Sequence, residues 1–87
     1  MSKVSFAEDA WSEYLYWQTQ DKKTLRKINS LLKEIQRCPF DGEGKPVPLK
    51  DNKRGLWSRR INEKDRLVYS VSEDMITVYQ CKGHYDD

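Results

Sequence analysis

Four residues in the last third of the sequence carry side chains suited to acid–base chemistry on a phosphate ester: Arg60, Arg66, His84 and Tyr85. Histidine has an unperturbed pKa of about 6.5, so it can transfer protons near neutral pH. Guanidinium groups match the geometry of phosphate oxygens, and an aromatic ring can stack on a base. Together these groups could cleave RNA without further catalysts. The alternative is that the single histidine is an ordinary surface residue.

The basic residues of the chain are concentrated in the segment 45–66. The whole chain has 16 Lys and Arg against 14 Asp and Glu, for a net charge of +2. The segment alone has eight basic residues against three acidic ones, whereas residues 67–87 have one against four. Such a patch could bind nucleic-acid phosphates, or its side chains could stay solvated at a sheet edge, where charge discourages aggregation. The basic residues are Lys45, Lys50, Lys53, Arg54, Arg59, Arg60, Lys64 and Arg66.

Alternation along the predicted strand 56–61 separates its side chains into two faces. Trp57 and Arg59 share one face, and Arg60 lies on the other. If Trp57 faces the helices, Arg60 points away from them. Arg66 opens the next predicted strand, and antiparallel pairing across a four-residue turn would bring it close to Arg60. Two converging guanidinium groups could then hold one phosphate.

Two helices are predicted before the basic segment. Apolar residues follow the helical i, i+3, i+4 spacing over residues 7–20, and Ser5 with Glu8 fits a capping box. Asp21 can cap a second helix that ends at the Cys38-Pro39 pair. We expect the two helices to form a hairpin, and each needs another element to cover its apolar face.

The rest of the chain is predicted to form strands and one loop. A short strand precedes the first helix at residues 3–6, and a loop rich in Pro and Gly covers 39–48, with a brief edge strand around 47–50. Short turns connect the last three predicted strands, which implies an antiparallel meander. These strands are residues 56–61, 66–71 and 76–81. We therefore expect residues 1–87 to form a single α+β domain, with two N-terminal helices packed on a small twisted antiparallel sheet.

The composition also excludes several classes of protein. No stretch approaches 18 consecutive apolar residues, and the N-terminus has no apolar region typical of a secretory signal. We therefore expect a cytoplasmic protein without a membrane span. Cys38, Cys81 and the single histidine, His84, cannot supply a four-ligand zinc site. We expect reduced thiols, no metal and no cofactor.

Beyond these patterns, the sequence resembles the YoeB (Txe) toxins of the RelE/ParE superfamily. The resemblance extends from Phe6 to Tyr85, and the matching segments occur in the family's order. They are Trp11–Trp17, the helix Arg26–Arg37 with Cys38-Pro39-Phe40, Gly44-Lys45-Pro46, Pro48-Leu49-Lys50, Trp57–Ile61, Arg66–Tyr69 and His84-Tyr85. The resemblance implies a RelE-like fold, which agrees with the two helices and the sheet predicted from periodicity.

The resemblance also implies a function. Such proteins are toxins of bacterial type II toxin–antitoxin pairs: ribosome-dependent, metal-free endonucleases that cut mRNA in the ribosomal A site and block translation. The implied partners are the ribosome, mRNA and a cognate antitoxin similar to YefM, with a homodimer or a hetero-oligomer with the antitoxin as further expectations.

The resemblance also implies roles for individual residues, assigned by their positions in the matching segments. The resemblance makes His84 the general acid, Arg66 the residue that stabilises the transition-state phosphate, and Tyr85 a residue that helps to hold the substrate. The RNA-binding candidates are Lys50 and Arg60, with Arg59 added from the same basic segment.

One position departs from the family pattern. Family members have Glu as the general base between two prolines, and this chain has Val47 there. Another group could activate the ribose 2′-hydroxyl, with Glu43 and Glu63 the nearest glutamates in sequence. Otherwise the ribosome and the positioning of the substrate accelerate cleavage enough without a general base, or the activity is reduced. Two further functions stay open: a non-catalytic binder that blocks translation on the ribosome or on RNA, and a gyrase inhibitor of the ParE type. The His84-Tyr85 ending favours the nuclease.

Overall fold

The computed structural model describes residues 2–84, in which two helices pack on one five-stranded sheet. The elements in chain order are β1 (Lys3–Phe6), α1 (Glu8–Gln20), α2 (Lys22–Arg37), β2 (Val47–Pro48), a 3-10 turn (Asp51–Lys53), β3 (Trp57–Arg60), β4 (Arg66–Ser72) and β5 (Met75–Gln80). The strand order in the sheet is β1-β5-β4-β3-β2. The predicted α+β class with two N-terminal helices is therefore confirmed.

The sheet is mixed rather than wholly antiparallel. Strands β2 to β5 pair antiparallel, which confirms the meander predicted for the last three strands. Strand β1, however, pairs parallel to β5, with Lys3 opposite Met75 and Phe6 opposite Val78. Parallel neighbours need a long crossover, and here almost the whole chain connects the two strands. Local sequence pattern carries no information about such a distant pairing.

Helix α2 begins and ends where the sequence predicts. The Asp21 side chain accepts hydrogen bonds from the backbone amides of Lys23 and Thr24, as an N-cap should. The Thr24 hydroxyl also donates to Asp21, and these hydrogen bonds lower the pKa of that carboxyl group. The helix ends at Arg37, two residues before Pro39, whose ring disfavours helical backbone in the residue that precedes it.

The capping box predicted for α1 is wrong. The N-cap residue is Ala7, and no side chain caps the helix start. Ser5 lies within β1, and its hydroxyl forms a 3.1 Å hydrogen bond with the Thr77 hydroxyl on β5. Because the strand continues to Phe6, Ser5 is committed to the sheet and cannot reach the first turn of the helix.

The core lies between the helices and the sheet. At its α1 end, the Trp17 indole donates a 2.8 Å hydrogen bond to the carbonyl of Cys81, which lies just after β5. Burial raises the pKa of the Cys81 thiol to about 12, so this cysteine packs as a neutral group. The buried apolar cluster consists of Ala10, Trp17, Ile28, Leu31, Leu32, Ile35, Ile61, Leu67, Tyr69, Ile76, Val78 and Cys81.

Part of the apolar face predicted for α1 stays at the surface. Trp11 and Leu15 retain 47% and 41% of their exposure, whereas Ala10 is fully buried. The Trp11 ring stacks on Tyr14, which itself packs against the core. Helix α1 packs on β1 and β5 at one edge of the sheet, so only one side of the predicted stripe is covered. No helix within residues 2–84 combines the length and apolar character needed to cross a bilayer.

Arg59 on β3 is a fully buried cation. Its Nη2 donates to the carbonyl oxygens of Cys38 and Asp41, at 2.6 and 2.8 Å. Its Nη1 donates to the Glu43 carbonyl at 2.8 Å, and its Nε donates to the Tyr69 hydroxyl at 3.1 Å. One guanidinium therefore connects the loop after α2 to the middle of the sheet.

These contacts correct the prediction that Arg59 binds RNA. Its side chain lies on the helix-facing side of β3, together with Trp57, and its donors already have protein acceptors. The loop after α2 has no regular secondary structure, so its carbonyl groups need donors from elsewhere. Arg59 supplies three of these donors, and that is why a charged side chain can be buried here.

Substituting Arg59 should destabilise the fold. Arg59→Met removes the donors but keeps much of the volume, so three loop carbonyls lose their donor and the Tyr69 hydroxyl keeps only its hydrogen bond to the Pro39 carbonyl. We expect a loss of about 3 kcal/mol in the free energy of unfolding, measured by urea denaturation. Arg60→Met is the matched control, since the neighbouring side chain is exposed, and we expect it to change stability by less than about 0.5 kcal/mol. Equal stability of the two variants would contradict the assigned role.

Candidate active site

Strands β3 and β4 bring two arginines together on the face of the sheet opposite to the helices. Arg60 and Arg66 are direct partners in the antiparallel pairing of these strands. Residues paired in this way have Cβ atoms about 5 Å apart, so both guanidinium groups can reach one ligand. The predicted proximity of these two arginines is confirmed.

The paired arginines form one wall of a cleft of about 450 Å³. His84, which follows β5, lies at the same cleft, and so does Lys50, which follows β2. The residues that line the cleft are Lys45, Val47, Pro48, Leu49, Lys50, Ser58, Arg60, Arg66 and His84. Arg59 is not among them. Tyr85, the remaining candidate from the sequence, lies outside the described residues.

The Arg66 guanidinium is held from one side only. Its Nη1 donates to the carbonyl oxygens of Asn62 and Asp65, at 2.6 and 3.1 Å. Within residues 2–84, its Nε and Nη2 have no hydrogen-bond partner. Arg66 is therefore oriented by the turn between β3 and β4, while two nitrogens remain to donate to an anion.

Lys45 also lines the cleft, although the sequence analysis assigned it no individual role. The loop reaches the cleft because the Arg60 amide donates to the Gly44 carbonyl at 2.7 Å. Gly44 has a φ of 86°, and a Cβ atom there would lie 3.1 Å from the Arg59 Cβ and 3.2 Å from the Arg60 carbonyl oxygen. The close approach of the loop to β3 thus favours glycine at position 44, and it places Lys45 at the cleft.

The described residues that line the cleft include four Lys and Arg side chains and no Asp or Glu. None of its four Lys and Arg side chains has a carboxylate within 4 Å among the described residues. The ion pairs found in residues 2–84 lie elsewhere, between Lys27 and Glu43 and between Glu34 and Arg37. Uncompensated cations at adjacent positions repel one another, so a bound polyanion such as a nucleic-acid backbone would relieve that repulsion.

The three positions considered for a general base have different surroundings. Val47 lines the cleft and is half exposed, but it has no group that accepts a proton. The Glu43 carboxylate accepts a 2.6 Å hydrogen bond from Lys27, which lowers the pKa of Glu43 and weakens it as a base. Glu63 lines a second, adjoining cleft rather than the cleft of His84.

No cluster suited to a metal ion is found within the described part of the chain. No group of three or more His, Cys, Asp and Glu residues lies close together between residues 2 and 84. Cys38 and Cys81 are free thiols, one half-buried and one buried. The polar side chains that line the cleft are four Lys and Arg residues, His84 and Ser58, and the cations suit an anionic ligand.

The chain is similar to known proteins over almost its full length. The family model described as the YoeB-like toxin of bacterial type II toxin–antitoxin systems matches residues 6–85. Toxin YoeB of Escherichia coli K12 is 51% identical over 83 residues, which are 95% of this chain and 99% of that protein.

Solved structures give the same result. The YoeB/ParE toxin from Agrobacterium tumefaciens superposes with a TM-score of 0.94 at 42% identity, over 95% of this chain and 99% of its own. A toxin chain in the heterotetrameric YoeB-YefM complex from Staphylococcus aureus gives a TM-score of 0.91 at 45% identity, over 98% and 99%. The resemblance carried by the sequence motifs is confirmed, and the chain belongs to the YoeB-like toxins of bacterial type II toxin–antitoxin systems.

Proposed function

We propose that this toxin is a ribosome-dependent endoribonuclease that cuts mRNA in the A site without a metal ion, and that the cleft of His84 is its active site. The observation that supports this most directly is the convergence of an imidazole and two paired arginines on one cationic cleft. Small size also fits this function, because the ribosome can hold the substrate that the small cleft cannot enclose.

In the proposed reaction, the ribose 2′-oxygen attacks the adjacent phosphorus and the bond to the 5′-oxygen breaks. His84 donates a proton to the leaving 5′-oxygen, so this oxygen departs as a hydroxyl rather than as an alkoxide. Arg66 donates hydrogen bonds to the phosphate oxygens, whose negative charge grows in the transition state. Arg60 and Lys50 hold the RNA backbone on either side, and Tyr85 helps to hold the substrate.

The proton of the 2′-hydroxyl has no protein acceptor at position 47. Glu43 is engaged by Lys27 and is not at the cleft, and Glu63 lies in the neighbouring cleft. We therefore propose that this proton passes to solvent water, that substrate positioning on the ribosome offsets the missing base, and that cleavage is slower than with a glutamate at position 47. Positioning alone can lower a barrier by several kcal/mol, about 7 or more in well-oriented reactions.

The proposed partner in inhibition is a cognate YefM-like antitoxin. An acidic segment of the antitoxin would cover the cationic cleft, and apolar residues could continue onto the exposed side chains of α1. Trp11, Leu15 and Tyr16 provide such a surface, each at least 41% exposed. The complex from S. aureus shows that a toxin of similar structure assembles with YefM.

Removing the proposed general acid, His84, or the phosphate-binding arginine, Arg66, should abolish most cleavage. We expect His84→Gln to slow mRNA cleavage on programmed ribosomes by about 10² to 10⁴-fold, the usual contribution of a general acid. Arg66→Ala should slow it by about 10² to 10³-fold. The control is Arg26→Ala, which removes an exposed arginine from α2 and should leave the rate unchanged.

Primer extension on the mRNA measures these rates and separates the remaining functions. Blocked translation with intact mRNA would overturn the nuclease in favour of a non-catalytic inhibitor. Relaxed plasmid DNA in a gyrase supercoiling assay would favour the ParE type.

Restoring a carboxylate at position 47 should accelerate cleavage. Val47→Glu places a proton acceptor at the cleft, and we expect a gain of about tenfold or more, toward the 10² to 10⁴-fold typical of a general base. Val47→Gln is the control, since it is nearly isosteric with Glu but cannot act as the base. If single-turnover rates of the three proteins agree, a missing base does not limit this toxin.

Antitoxin binding should depend on the cleft charges. We expect the combined change Lys45→Glu and Lys50→Glu to weaken binding of the cognate antitoxin by tenfold or more in isothermal titration. Raising the salt concentration should weaken binding of the unmodified toxin as well. The control is Lys22→Glu with Arg26→Glu on α2, which makes the same charge change away from the cleft. Equal affinity of both variants would place the antitoxin elsewhere.

A further inference from the structure

The backbone of Gly83, directly before His84, is fixed by three hydrogen bonds. Its amide donates to Oδ1 of Asp65 at 2.7 Å. Its carbonyl accepts from the Arg66 amide at 3.1 Å and from Nε2 of Gln80 at 3.0 Å. Both polar groups of this residue are therefore engaged, although it lies beyond the end of β5.

The Asp65 carboxylate is buried, with only 5% of the residue exposed. No ion pair to it within 4 Å is found in the part of the chain that the structure describes, so its direct hydrogen-bond donors are neutral groups. Its Oδ2 accepts from Nδ2 of Asn62 at 3.0 Å, and its Oδ1 accepts from Gly83. A buried carboxylate that is satisfied by only a few donors depends strongly on each of them.

Asn62 is itself locked in one orientation. Its Oδ1 accepts from the amides of Lys64 and Asp65, at 2.8 and 2.7 Å. Its amide group can therefore present only Nδ2 to Asp65. The same turn orients Arg66, whose Nη1 donates to the carbonyls of Asn62 and Asp65. The residues Asn62–Asp65 thus contact both Arg66 and the peptide that leads to His84.

We propose that Asp65 is a positioning residue, which places His84 beside Arg66 by holding Gly83. The proposal rests on the proposed function for its effect on cleavage, and it goes beyond that function by assigning a role to a buried residue outside the cleft. His84 follows a segment without strand or helix, and a misplacement of about 1 Å can lower a rate by about 10²-fold.

The substitution Asp65→Asn tests this role because the new side chain cannot satisfy both donors. Only one of its terminal atoms accepts hydrogen bonds, so in either orientation its NH₂ group faces another donor, at Gly83 or at Asn62, and the repulsion weakens the contact between the turn and Gly83. We expect kcat for mRNA cleavage to fall by tenfold or more, with KM for programmed ribosomes changed less than threefold, because the cationic residues of the cleft remain.

The double variant Asn62→Asp with Asp65→Asn is the rescue. The carboxylate introduced at position 62 accepts from the two turn amides through one oxygen and from the side-chain amide introduced at position 65 through the other. The side-chain oxygen at position 65 is then left to accept from Gly83. All four hydrogen bonds are restored with the same net charge, and we expect kcat to return to within threefold of the original value. A double variant as slow as Asp65→Asn would overturn the proposal, and so would a single variant as fast as the original.

A control separates positioning from loss of stability. Ile35→Val removes one methyl group from a fully buried residue of α2, so it should destabilise the protein without touching the turn. We expect it to keep the original kcat at temperatures well below its melting point. A fall in kcat equal to that of Asp65→Asn would mean that stability alone explains the effect.

Nuclear magnetic resonance gives a readout that does not depend on RNA cleavage. In Asp65→Asn we expect faster hydrogen exchange at the Gly83 amide and shifted signals of the His84 imidazole, with both restored in the double variant. Unchanged Gly83 and His84 signals in the single variant would overturn the positioning role. If the unmodified toxin cleaved no RNA, the proposed function would fail, while these spectra would still decide whether Asp65 places His84.

Discussion

Burial of the Arg59 guanidinium is the interaction on which the rest of the structure depends. The loop after α2 has no regular backbone hydrogen bonding of its own. Its carbonyl groups at positions 38, 41 and 43 all accept hydrogen bonds from this single cation. A buried charge of this kind is stable only when its donors are all satisfied, so the loop and the strand constrain each other. Any displacement of the loop would leave both a charge and several carbonyls unsolvated.

The same burial determines the composition of the cleft. Successive residues of a strand face opposite sides, so placing Arg59 among the helices places Arg60 on the other face. There Arg60 is paired with Arg66, and the anchored loop adds Lys45 to the same surface. Lys45 and Arg60 are exposed and Arg66 is partly exposed, and these cations repel one another. The fold tolerates the repulsion because the hydrogen bonds inside the sheet and the buried cation hold the backbone in place.

A second constraint acts where the chain leaves β5. In the turn Asn62–Asp65, the Asn62 side chain accepts hydrogen bonds from two amides of the turn itself. The Asp65 side chain accepts one from the amide of Gly83. In this way a four-residue turn fixes the relation between a strand residue, Arg66, and a residue outside the sheet, His84. The cleft therefore depends on two buried polar side chains, Arg59 and Asp65, neither of which lies on its surface.

Sequence alone determined most of the helices and strands and several of the residues that meet at the cleft. Helical periodicity, the Asp21 cap and the Cys38-Pro39 stop predicted α2, and short polar turns predicted the meander. Antiparallel pairing of two strands across one short turn also predicted that Arg60 lies beside Arg66. These features depend on residues close together in the chain, whose spacing is visible in the sequence. The family motifs indicated His84 and Lys50, which the structure brings to the same cleft.

Only the tertiary structure decided which polar side chains are buried. Arg59 and Arg60 are identical in type and adjacent, yet one holds the core and the other faces the cleft, because loop carbonyls 16 to 21 residues away in sequence lie on one side of β3. Ser5 likewise joins Thr77 across a parallel strand pair rather than capping α1. Asp65 gave no sequence signal, since its role depends on Gly83, 18 residues later. Such assignments follow from hydrogen-bond partners that are distant in the chain, which local pattern cannot specify.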